Sequence, residues 1–571
     1  MFNVFSKKDN YEPIVPIITG QPFDARNPRK AYFGPKPTVL LILDGWGIGP
    51  NYAGNAIALA KTPNMDMFML TFPHAQLSAS GEAVGLPKGE DGNSETGHVN
   101  IGAGNIVYQD LPRVNISIAD GSYKRNQAFR NAFNHVKKNN STLHLMGLVG
   151  TGVVHSNIEH LYALIELAKE NGIKNLVIHG FTDGRDSPPN EALKIVKSIQ
   201  EKCREIGLGI IGSLMGRYFA MDRDKRWERI ETAYNALVLG EGKKTSNLIQ
   251  SIQESYDSGT TDEFLKPTIY VDSKNQTHLI EDNDSVIFFN FRIDRPRELT
   301  RAFVMYSFEQ GLGHEDFDPY TENFEKSSLK QKIGGSTFKR KKVIKNLYFV
   351  TMTRYEENLP VEEAFPPQPV KNPLCKIFAS YGLKQLRMAE TEKEKFVTYY
   401  MNGQKEIIFP GENRIILPSR GEKSYDLIPE MSAYEITNEL INKIENEDHD
   451  VIIVNLANPD MVGHTGNLKA GIKACEVTDE VVGKIVKTVY HKGGVVLITA
   501  DHGNIEEMIN IQTGQIDTEH STYPVPLIIV GKQYVNQPRI LPNGVLADIA
   551  PTMLSVMNLA KSPLMTGRSL I

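Results

Sequence analysis

The chain has 571 residues, of which 40% are hydrophobic and 23% are charged, with a formal net charge of −5 and a pI near 6.3. This balance is typical of a globular protein long enough for two or more domains, and it argues against a nucleic-acid partner, which usually requires a basic domain or stripe. Three widely separated cysteines, and no apolar run near the roughly 20 residues of a membrane span, predict a cytoplasmic chain without disulfides, thiolate metal sites or a membrane partner.

Residues 1–37 are the first predicted element, an N-terminal arm rich in proline. The only apolar stretch in this segment, residues 14–18, is short and is interrupted by Pro16, unlike the core of a signal peptide. We therefore expect an extended arm that lies over the surface.

A short aliphatic run that ends abruptly in charged residues recurs along the chain. Its first copy covers residues 38–43 and is followed by Asp44. Such runs predict buried strands of parallel sheets joined by helices, and therefore an α/β fold. Because ligands of open α/β sheets bind beyond the carboxyl ends of the strands, the side chains after each run are candidates for a site.

Ser94 is the candidate nucleophile. It lies in the polar segment 92–98, where a loop could turn into a helix whose exposed N–H groups would favour a phosphate. Serine needs a base or a metal to activate it, and no Ser-His-Asp order is readable in this chain. A divalent metal could lower the pKa of the hydroxyl enough for attack near neutral pH. The alternative is that Ser94 or Asn93 only caps the helix.

Five runs in the middle of the chain predict strands of a second sheet: residues 143–148, 175–179, 209–214, 285–291 and 346–352. The side chains that follow the first four are mostly basic: His155, Arg185, Asp186, Arg217, Arg223, Arg292 and Arg295. The planar guanidinium suits bidentate pairing with carboxylate and phosphate, so this set predicts a small substrate with several negative charges. Asp186 and His155 are candidate proton shuttles.

Each of these arginines taken alone would more often form a surface ion pair. Acidic residues beside them could neutralise part of the charge: Asp183, Asp186, Asp222 and Asp294. The charged stretch 310–345 contains a basic run, residues 339–342, that could indicate nuclear localisation or nucleic-acid binding. Acidic residues in the same stretch favour a solvated surface insertion instead.

Asp and His, rather than Arg, follow the runs near the C-terminus. Two runs, residues 451–456 and 494–499, precede most of the candidate metal ligands, which are Asp44, Asp460, His464, Asp501, His502 and His520. Asp460 and His464 are four residues apart, so one helical turn or a tight loop could aim both at one ion. Three carboxylates and three imidazoles without cysteine suit a pair of ions such as Mn²⁺, Zn²⁺ or Co²⁺. Any one of these residues alone would be read as a turn residue or a hydrogen-bonded histidine.

The chemistry after the strands changes from Asp and His to Arg and back again, which predicts that one domain is inserted into another. Proline-rich junctions near residues 108–115 and 362–370 fit a pair of linkers. We therefore predict a metal-binding domain formed by residues 38–110 and 366–571. Residues 111–365 would be a substrate-binding α/β domain inserted into it.

Taken together, these motifs resemble the cofactor-independent phosphoglycerate mutases of the alkaline-phosphatase-like superfamily, from about residue 38 to the C-terminus. The resemblance is carried by residues 43–47 (Leu-Asp-Gly-Trp-Gly), 92–98 (Gly-Asn-Ser-Glu-Thr-Gly-His), 155–156, 183–186 (Asp-Gly-Arg-Asp), 216–223, 290–295, 389–393 (Ala-Glu-Thr-Glu-Lys), 426–431, 460–464, 501–504 (Asp-His-Gly-Asn) and His520 before 524–526. The number and order of these motifs make the match specific.

The resemblance implies a two-step transfer in which Ser94 is phosphorylated, with Asp186 and Lys393 as further catalytic residues. It implies that one metal is held by Asp44, Ser94, Asp501 and His502, and the other by Asp460, His464 and His520. The substrate-binding set that it implies is His155, Arg185, Asp186, Arg217, Arg223, Arg292, Arg295 and Lys393.

The reaction implied is the interconversion of 3-phosphoglycerate and 2-phosphoglycerate by a cytoplasmic, monomeric enzyme with two divalent ions. Mn²⁺ is the ion expected, with Mg²⁺, Co²⁺ or Zn²⁺ as alternatives. The chain departs from the family at Thr96, where valine is common, and at Asn157, where a second histidine is often found. Neither position has a catalytic role assigned to it.

Three other interpretations fit part of this pattern. A phosphatase or sulfatase of the same superfamily would use the same metals but release its product to water, and the additional arginine domain argues against it. The motifs of the predicted inserted domain fit phosphopentomutase poorly. A silent phosphosugar-binding protein would not need Ser94 and the complete ligand set.

Overall fold

The computed structural model describes residues 32–310, 337–420, 424–535 and 540–571, so most of the predicted arm and of the charged stretch lies outside the described residues. The strands are β1 (Thr38–Leu43), β2 (His74–Ser78), β3 (Leu143–Val149), β4 (Leu176–Thr182), β5 (Ile210–Gly216), β6 (Lys243–Thr245), β7 (Thr268–Tyr270), β8 (Ser285–Phe288), β9 (Tyr348–Thr353), β10 (Glu362–Phe365), β11 (Gln385–Glu390), β12 (Glu412–Leu417), β13 (Val451–Leu456), β14 (Val495–Thr499), β15 (Val525–Gly531) and β16 (Gly544–Val545).

The helices, which for the most part alternate with these strands along the chain, are α1 (Ala56–Leu59), α2 (Pro63–Thr71), α3 (Ser94–Ala103), α4 (Asp110–Ala119), α5 (Gln127–Asn139), α6 (Ile158–Glu170), α7 (Ala192–Ile206), α8 (Arg217–Ala220), α9 (Trp227–Leu239), α10 (Leu248–Asp257), α11 (Arg297–Val304), α12 (Leu374–Ser380), α13 (Ala433–Asn446), α14 (Asn458–Gly463), α15 (Leu468–Lys492) and α16 (Ile549–Val556). No helix among the described residues combines the length and the apolar character that crossing a membrane would require.

The chain divides into two compact units, which are described here one at a time. Unit 1 consists of Met1–Pro112 and Pro369–Ile571, and unit 2 of Arg113–Gln368. Each unit contains one eight-stranded sheet. The predicted α/β class, with two sheets and interspersed helices, is confirmed.

The sheet of unit 1 has the strand order β12-β11-β13-β1-β14-β15-β2-β16. Its middle strands are parallel, and β1 lies between β13 and β14. Every residue of β1 and β13 is buried, which is why both read as unbroken aliphatic runs. The long helix α15 packs against α13, α14 and α2 and buries a stripe of valines and isoleucines in the same core.

The sheet of unit 2 has the order β10-β9-β8-β3-β4-β5-β7-β6, and only the pair β5–β7 is antiparallel. Polar side chains cross this sheet inside the core. His144 Nδ1 lies 2.9 Å from His179 Nε2, and His179 Nδ1 lies 2.8 Å from Ser213 Oγ. On the other side, His144 Nε2 lies 3.0 Å from Asp284 Oδ2, so each buried imidazole has polar partners.

Strands β1 and β13 have the predicted bounds, and the other predicted strands differ by a few residues. Strand β4, predicted over residues 175–179, extends to Thr182, and β8, predicted over residues 285–291, ends at Phe288. There the side chain of Asn290 accepts the N–H of Leu148 at 2.9 Å and takes the place of a backbone partner. The antiparallel strands β15 and β2 were not predicted, because β15 begins in a Pro-Val-Pro loop and β2 is short and half polar.

Unit 2 also contains a histidine whose burial makes folding sensitive to acid. His160 of α6 is fully buried, with its Nε2 2.8 Å from Asn115 Oδ1. Burial lowers the pKa of His160 to about 4, below the ordinary value of about 6.5. As the pH falls below 6.5, His160 is protonated in the unfolded chain, whereas in the folded chain it stays neutral until about pH 4. The stabilisation is therefore complete above pH 6.5 and is lost as the pH falls towards 4.

We expect His160→Gln to make the stability of unit 2 less dependent on pH. The glutamine amide can still donate to Asn115, but it does not titrate. The histidine accounts for a loss of about 3 kcal/mol between pH 6.5 and 4 at about 1.4 kcal/mol per pKa unit. The measurement is the urea midpoint at pH 7.5 and pH 5, with His491→Gln, at an exposed site in α15, as the control. Equal pH dependence in wild type and His160→Gln would contradict the assignment.

Candidate active site

Three neighbouring parallel strands of unit 1 carry buried carboxylates at their carboxyl ends. Asp44 follows β1, Asp460 lies in α14 directly after β13, and Asp501 comes two residues after β14. Each of these residues is at most 2% exposed. Because the strands run in the same direction, their following loops meet at one edge of the sheet. The residues predicted as metal ligands are therefore brought together.

Ser94 is the first residue of α3 and faces these carboxylates. The capping role belongs to Asn93, whose side chain accepts the N–H of Thr96 at 2.9 Å. Ser94 Oγ lies 2.9 Å from His502 Nε2 and 3.3 Å from Asp44 Oδ1. The start of a helix favours negative charge, so a phosphoryl group on this oxygen would be stabilised by the backbone as well.

Lys393 connects Ser94 to two of the carboxylates. Its Nζ donates to Ser94 Oγ at 2.8 Å, to Asp44 Oδ1 at 2.7 Å and to Asp460 Oδ2 at 2.7 Å. Burial by itself would lower the pKa of Lys393, but the charges of Asp44 and Asp460 outweigh it and hold the pKa above its ordinary value. Lys393 is therefore a cation at neutral pH and cannot take the proton of the serine.

His464, His502 and His520 share a hydrogen-bonding pattern that leaves one ring nitrogen for a metal. Their Nδ1 atoms lie 2.7, 3.2 and 2.8 Å from backbone carbonyl oxygens. A ring N–H held in this way fixes the tautomer and leaves Nε2 with its lone pair. The Nε2 atoms of His464 and His520 are 3.1 Å apart, and each lies 3.3 Å from Asp460 Oδ1. Lone pairs that converge on a carboxylate fit a divalent cation.

Asp501 gives a second indication of the same kind. Its Oδ2 is buried, lies 3.2 Å from His98 Nδ1 and 3.5 Å from His502 Nε2, and accepts no well-directed hydrogen bond among the described residues, which leaves a lone pair for a cation. Burial would raise the pKa of Asp501, but His502 and His98 hold it below its ordinary value. Burial would lower the pKa of His502, but Asp501 and the other carboxylates raise it to about 10. The carboxylate oxygens and imidazole nitrogens of this site fit a divalent metal ion.

Two groups of ligand atoms each lie within 4.8 Å of one another: Asp460, His502 and His520 form one, and Asp44, His98 and Asp501 the other. This grouping differs from the two ligand sets that the resemblance implies. His502 is grouped with Asp460 rather than with Asp44, and His98 belongs to neither implied set. Both ring nitrogens of His98 are already engaged. Its Nδ1 lies 2.9 Å from the carbonyl oxygen of Ser94, and its Nε2 accepts from Asn455 at 3.1 Å. We therefore assign His98 to positioning rather than to metal binding.

Sequence reasoning missed three polar residues that hold the carboxylates. Besides His98, they are Asn455, which donates to Asp44 Oδ2 at 2.6 Å, and Asn504, which donates to Asp460 Oδ1 at 2.8 Å. The available signal for Asn455 was an amide near the end of an otherwise aliphatic strand. A buried polar side chain in such a strand usually serves a specific partner.

In unit 2, Arg217 lies at the start of α8, directly after β5, and is 3% exposed. Its Nη1 donates to Asp183 Oδ1 at 2.6 Å and to Asp186 Oδ2 at 2.5 Å. Burial would raise the pKa of Asp186, but the hydrogen bond and the charge of Arg217 lower it below its ordinary value. Asp186 is therefore ionised near neutral pH and can accept a proton.

Asp294 forms ion pairs with two of the predicted substrate-binding arginines. Arg223 Nη1 lies 2.9 Å from Asp294 Oδ2, and Arg292 Nε lies 3.2 Å from Asp294 Oδ1. His155 lies between the two carboxylates, with Nδ1 3.5 Å from Asp294 Oδ1 and Nε2 3.7 Å from Asp186 Oδ2. Burial lowers the pKa of His155 to about 4, so its imidazole is neutral near pH 7. Unit 2 therefore brings both candidate proton shuttles together with three of the arginines.

The two remaining arginines add positive charge to this cluster. Arg295 Nη1 donates to the carbonyl oxygen of Met221 at 3.1 Å, and burial together with the charges of Arg217 and Arg223 lowers its pKa to about 10. Among the described residues, Arg185 forms one distant ion pair, 3.9 Å from Glu263. Asp222, a predicted neutraliser, pairs instead with Arg226 and Arg229. The side chains of Arg185, Arg223 and Arg292 are 53%, 44% and 44% exposed, so their guanidiniums can reach an anion.

Arg292→Lys is expected to raise the KM for a phosphorylated substrate by about tenfold, with kcat changed less. A lysine keeps the charge but cannot form the planar paired contact of a guanidinium. Arg354→Lys is the matched control, because Arg354 is 40% exposed and pairs with Glu363 at 2.8 Å in the same unit. Steady-state kinetics of both variants make the comparison. Equal effects at the two positions would return Arg292 to an ordinary surface ion pair.

Comparison with known proteins agrees with this arrangement. A family profile described as the N-terminus of BPG-independent PGAM matches residues 114–357. The 2,3-bisphosphoglycerate-independent phosphoglycerate mutase of Clostridium botulinum is 48% identical over 94% of this chain and 99% of its own length. Mutase 1 of Methanosarcina barkeri is 48% identical over 94% and 98%. The solved phosphoglycerate mutase of Leishmania mexicana, at low cobalt concentration, covers 95% of this chain and 98% of its own, with 30% identity and a TM-score of 0.53.

Proposed function

The chain belongs to the family of 2,3-bisphosphoglycerate-independent phosphoglycerate mutases, which are isomerases, and from this premise we propose that it moves the phosphoryl group between positions 3 and 2 of glycerate through a phosphoserine on Ser94. The observation that carries the proposal is the setting of Ser94. Its Oγ lies at the start of a helix, 2.8 Å from Lys393 Nζ and 2.9 Å from His502 Nε2. The arginine cluster of unit 2 supports the same proposal, because it suits an acid with several negative charges.

Two divalent ions complete the site of unit 1 in this proposal. One would be held by Asp44, Ser94, Asp501 and His502, and the other by Asp460, His464 and His520. The ions, Mn²⁺ by expectation with Mg²⁺, Co²⁺ or Zn²⁺ as alternatives, would supply the positive charge that lowers the pKa of the serine hydroxyl and neutralises the phosphoryl oxygens. The converging Nε2 atoms of His464 and His520 support this assignment, and so does the buried Oδ2 of Asp501, which accepts no well-directed hydrogen bond among the described residues.

In the first half of the reaction, Ser94 Oγ loses its proton and bonds to phosphorus while the bond from phosphorus to the glycerate oxygen breaks. Lys393 Nζ stabilises the negative charge that passes through this centre. The departing glycerate oxygen takes up one proton, the one that Ser94 has released, because Asp186 beside His155 is ionised at this stage. Arg217 holds Asp186 in place, so the carboxylate stays oriented for the second half of the reaction.

In the second half, glycerate remains bound by the arginines and turns so that its other hydroxyl faces the phosphoserine. Asp186 accepts the proton of that hydroxyl, the new oxygen–phosphorus bond forms as the bond from phosphorus to Ser94 Oγ breaks, and the proton passes from Asp186 to Ser94 Oγ. Atoms and charges return to their starting state. Retaining glycerate is what makes the enzyme a mutase, since transfer to water would give a phosphatase.

The test is an assay with 3-phosphoglycerate and Mn²⁺, coupled through enolase, with no bisphosphoglycerate present. We expect full turnover, little free phosphate, and almost no label in the product when isotopically labelled glycerate is added. Dependence on bisphosphoglycerate would overturn the proposal, and stoichiometric phosphate release would make the protein a phosphatase. Rapid exchange with labelled glycerate would refute the retention of glycerate. The monomeric state and the cytoplasmic location stay predictions.

Removing the metal is expected to abolish activity, and Mn²⁺ should restore it. The three imidazoles must be neutral to bind an ion, so protons compete with the metal and its affinity should fall as the pH drops. The raised pKa values of His464 and His502 mean that protons compete from a higher pH. Calorimetric titration with Mn²⁺ between pH 6 and 8.5 measures this slope. Undiminished activity after chelation, with metal content verified near zero, would show that the constellation has been misread.

A further inference from the structure

Glu506 is a buried carboxylate close to the loops that carry the proposed metal ligands. It takes no part in the mechanism proposed above. It lies in a short 3₁₀ turn, Ile505–Glu507, and is 0% exposed. A buried carboxylate is costly unless its oxygens accept hydrogen bonds, so its partners indicate what it does.

The partners of Glu506 come from three separate segments. Oε2 accepts the N–H of Gly47 and the N–H of Asn504, both at 2.9 Å. Oε1 accepts a short hydrogen bond from the hydroxyl of Ser521. One carboxylate therefore joins the loop after β1, the loop after β14 and the segment before β15.

Each of these partners lies within three residues of a proposed metal ligand. Gly47 comes three residues after Asp44, Asn504 two residues after His502, and Ser521 directly after His520. A further backbone hydrogen bond, from Ser521 N–H to the carbonyl oxygen of Gly503 at 3.0 Å, runs beside the carboxylate. The positions of the ligands depend on segments that share this single acceptor.

Glycines around the carboxylate show how closely it is enclosed. A Cβ at Gly47 would lie 2.2 Å from Glu506 Cδ, and a Cβ at Gly503 would lie 2.3 Å from Glu506 Oε1. Side chains at either position would displace the carboxylate. The glycine of the Asp44 loop and the glycine that follows His502 therefore serve the same contact.

We propose that Glu506 is a positioning residue for the metal site, and that it acts by accepting hydrogen bonds from the loops that carry Asp44, His502 and His520. The proposal rests on the metal assignment made above. Loss of such supporting hydrogen bonds typically weakens metal binding by about 10- to 100-fold.

The test compares Glu506→Met with Glu506→Gln in calorimetric titrations of the chelator-stripped protein with Mn²⁺ alone. Methionine has a similar length but accepts neither backbone N–H, and we expect its affinity to fall by about 10- to 100-fold. Glutamine keeps one oxygen for the two N–H groups and can donate its amide to Ser521, so it should lose less. Glu507→Gln, which removes the same charge at the next residue, is the matched control and should bind as wild type does.

A folded Glu506→Met protein with wild-type Mn²⁺ affinity would overturn the proposal, even if its melting temperature without metal were lower. Equal losses in the Met and Gln variants would also overturn it, because the charge rather than the hydrogen bonds would then matter. If Glu506→Met does not fold, Ser521→Ala decides: a loss of affinity of a few-fold is expected, and unchanged affinity would refute the role. A wild-type chain that binds no Mn²⁺ would instead refute the metal assignment itself.

Discussion

Ser94→Ala is expected to leave the protein folded and to abolish mutase activity, with a loss on the order of 10⁴-fold or more. The fold should survive because the cap of α3 is Asn93, and alanine suits the first turn of a helix. Activity should vanish because no other hydroxyl or thiol is proposed to carry the phosphoryl group. The coupled enolase assay measures the loss, and circular dichroism checks the fold.

Thr96→Val is the matched control for this experiment. It deletes a hydroxyl two residues away on the same buried helix. Among the described residues, the one side-chain hydrogen bond of Thr96 Oγ1 comes from Gln109 Nε2 at 3.4 Å. Its activity should stay near that of wild type. Acid quenching during turnover should trap one phosphoryl group on wild type and on Thr96→Val but none on Ser94→Ala. Turnover of Ser94→Ala near the wild-type rate would end the phosphoserine mechanism.

Much of this site could be predicted because it follows from strand ends. Asp44, Asp460 and Asp501 each follow an aliphatic run, and parallel neighbours place the ends of such runs together. The spacing of Asp460 and His464 allowed a helical turn or a tight loop, and α14 provides the helical turn. Local pattern and parallel topology were sufficient for these residues.

The supporting contacts could not be predicted, because they join residues far apart in the chain. Asn455 and Asp44 are 411 residues apart, and Glu506 and Gly47 are 459 apart. Periodicity indicates which residues are buried but not which side chains meet across a sheet. The same limit applies to Arg217, which was predicted as an anion ligand and whose guanidinium also pairs with the buried Asp183 and the half-buried Asp186.

Lys393 is the residue whose position the sequence left most open, since the resemblance implied a role for it both in catalysis and in substrate binding. In unit 1 it lies fully among Asp44, Ser94 and Asp460. Its charge is held there by two carboxylates in a buried environment, where electrostatic interactions are strong. We therefore propose that Lys393 stabilises the charge that develops on the oxygen of Ser94 and on the phosphoryl group, and that it does not titrate.

Lys393→Met is accordingly expected to lower kcat by on the order of 10²–10³-fold while KM changes little, as for the loss of one charged donor to a transition state. Mn²⁺ binding should persist or tighten, because Asp44 and Asp460 lose a competing cation. Raising the pH should not mimic the variant, since the pKa of Lys393 is held above its ordinary value. Lys395→Met, on an exposed neighbour, is the control. Two outcomes would contradict a purely electrostatic role. A near-normal kcat in Lys393→Met would show that the lysine does not contribute to catalysis. A loss of Mn²⁺ binding would show that it is part of the metal site.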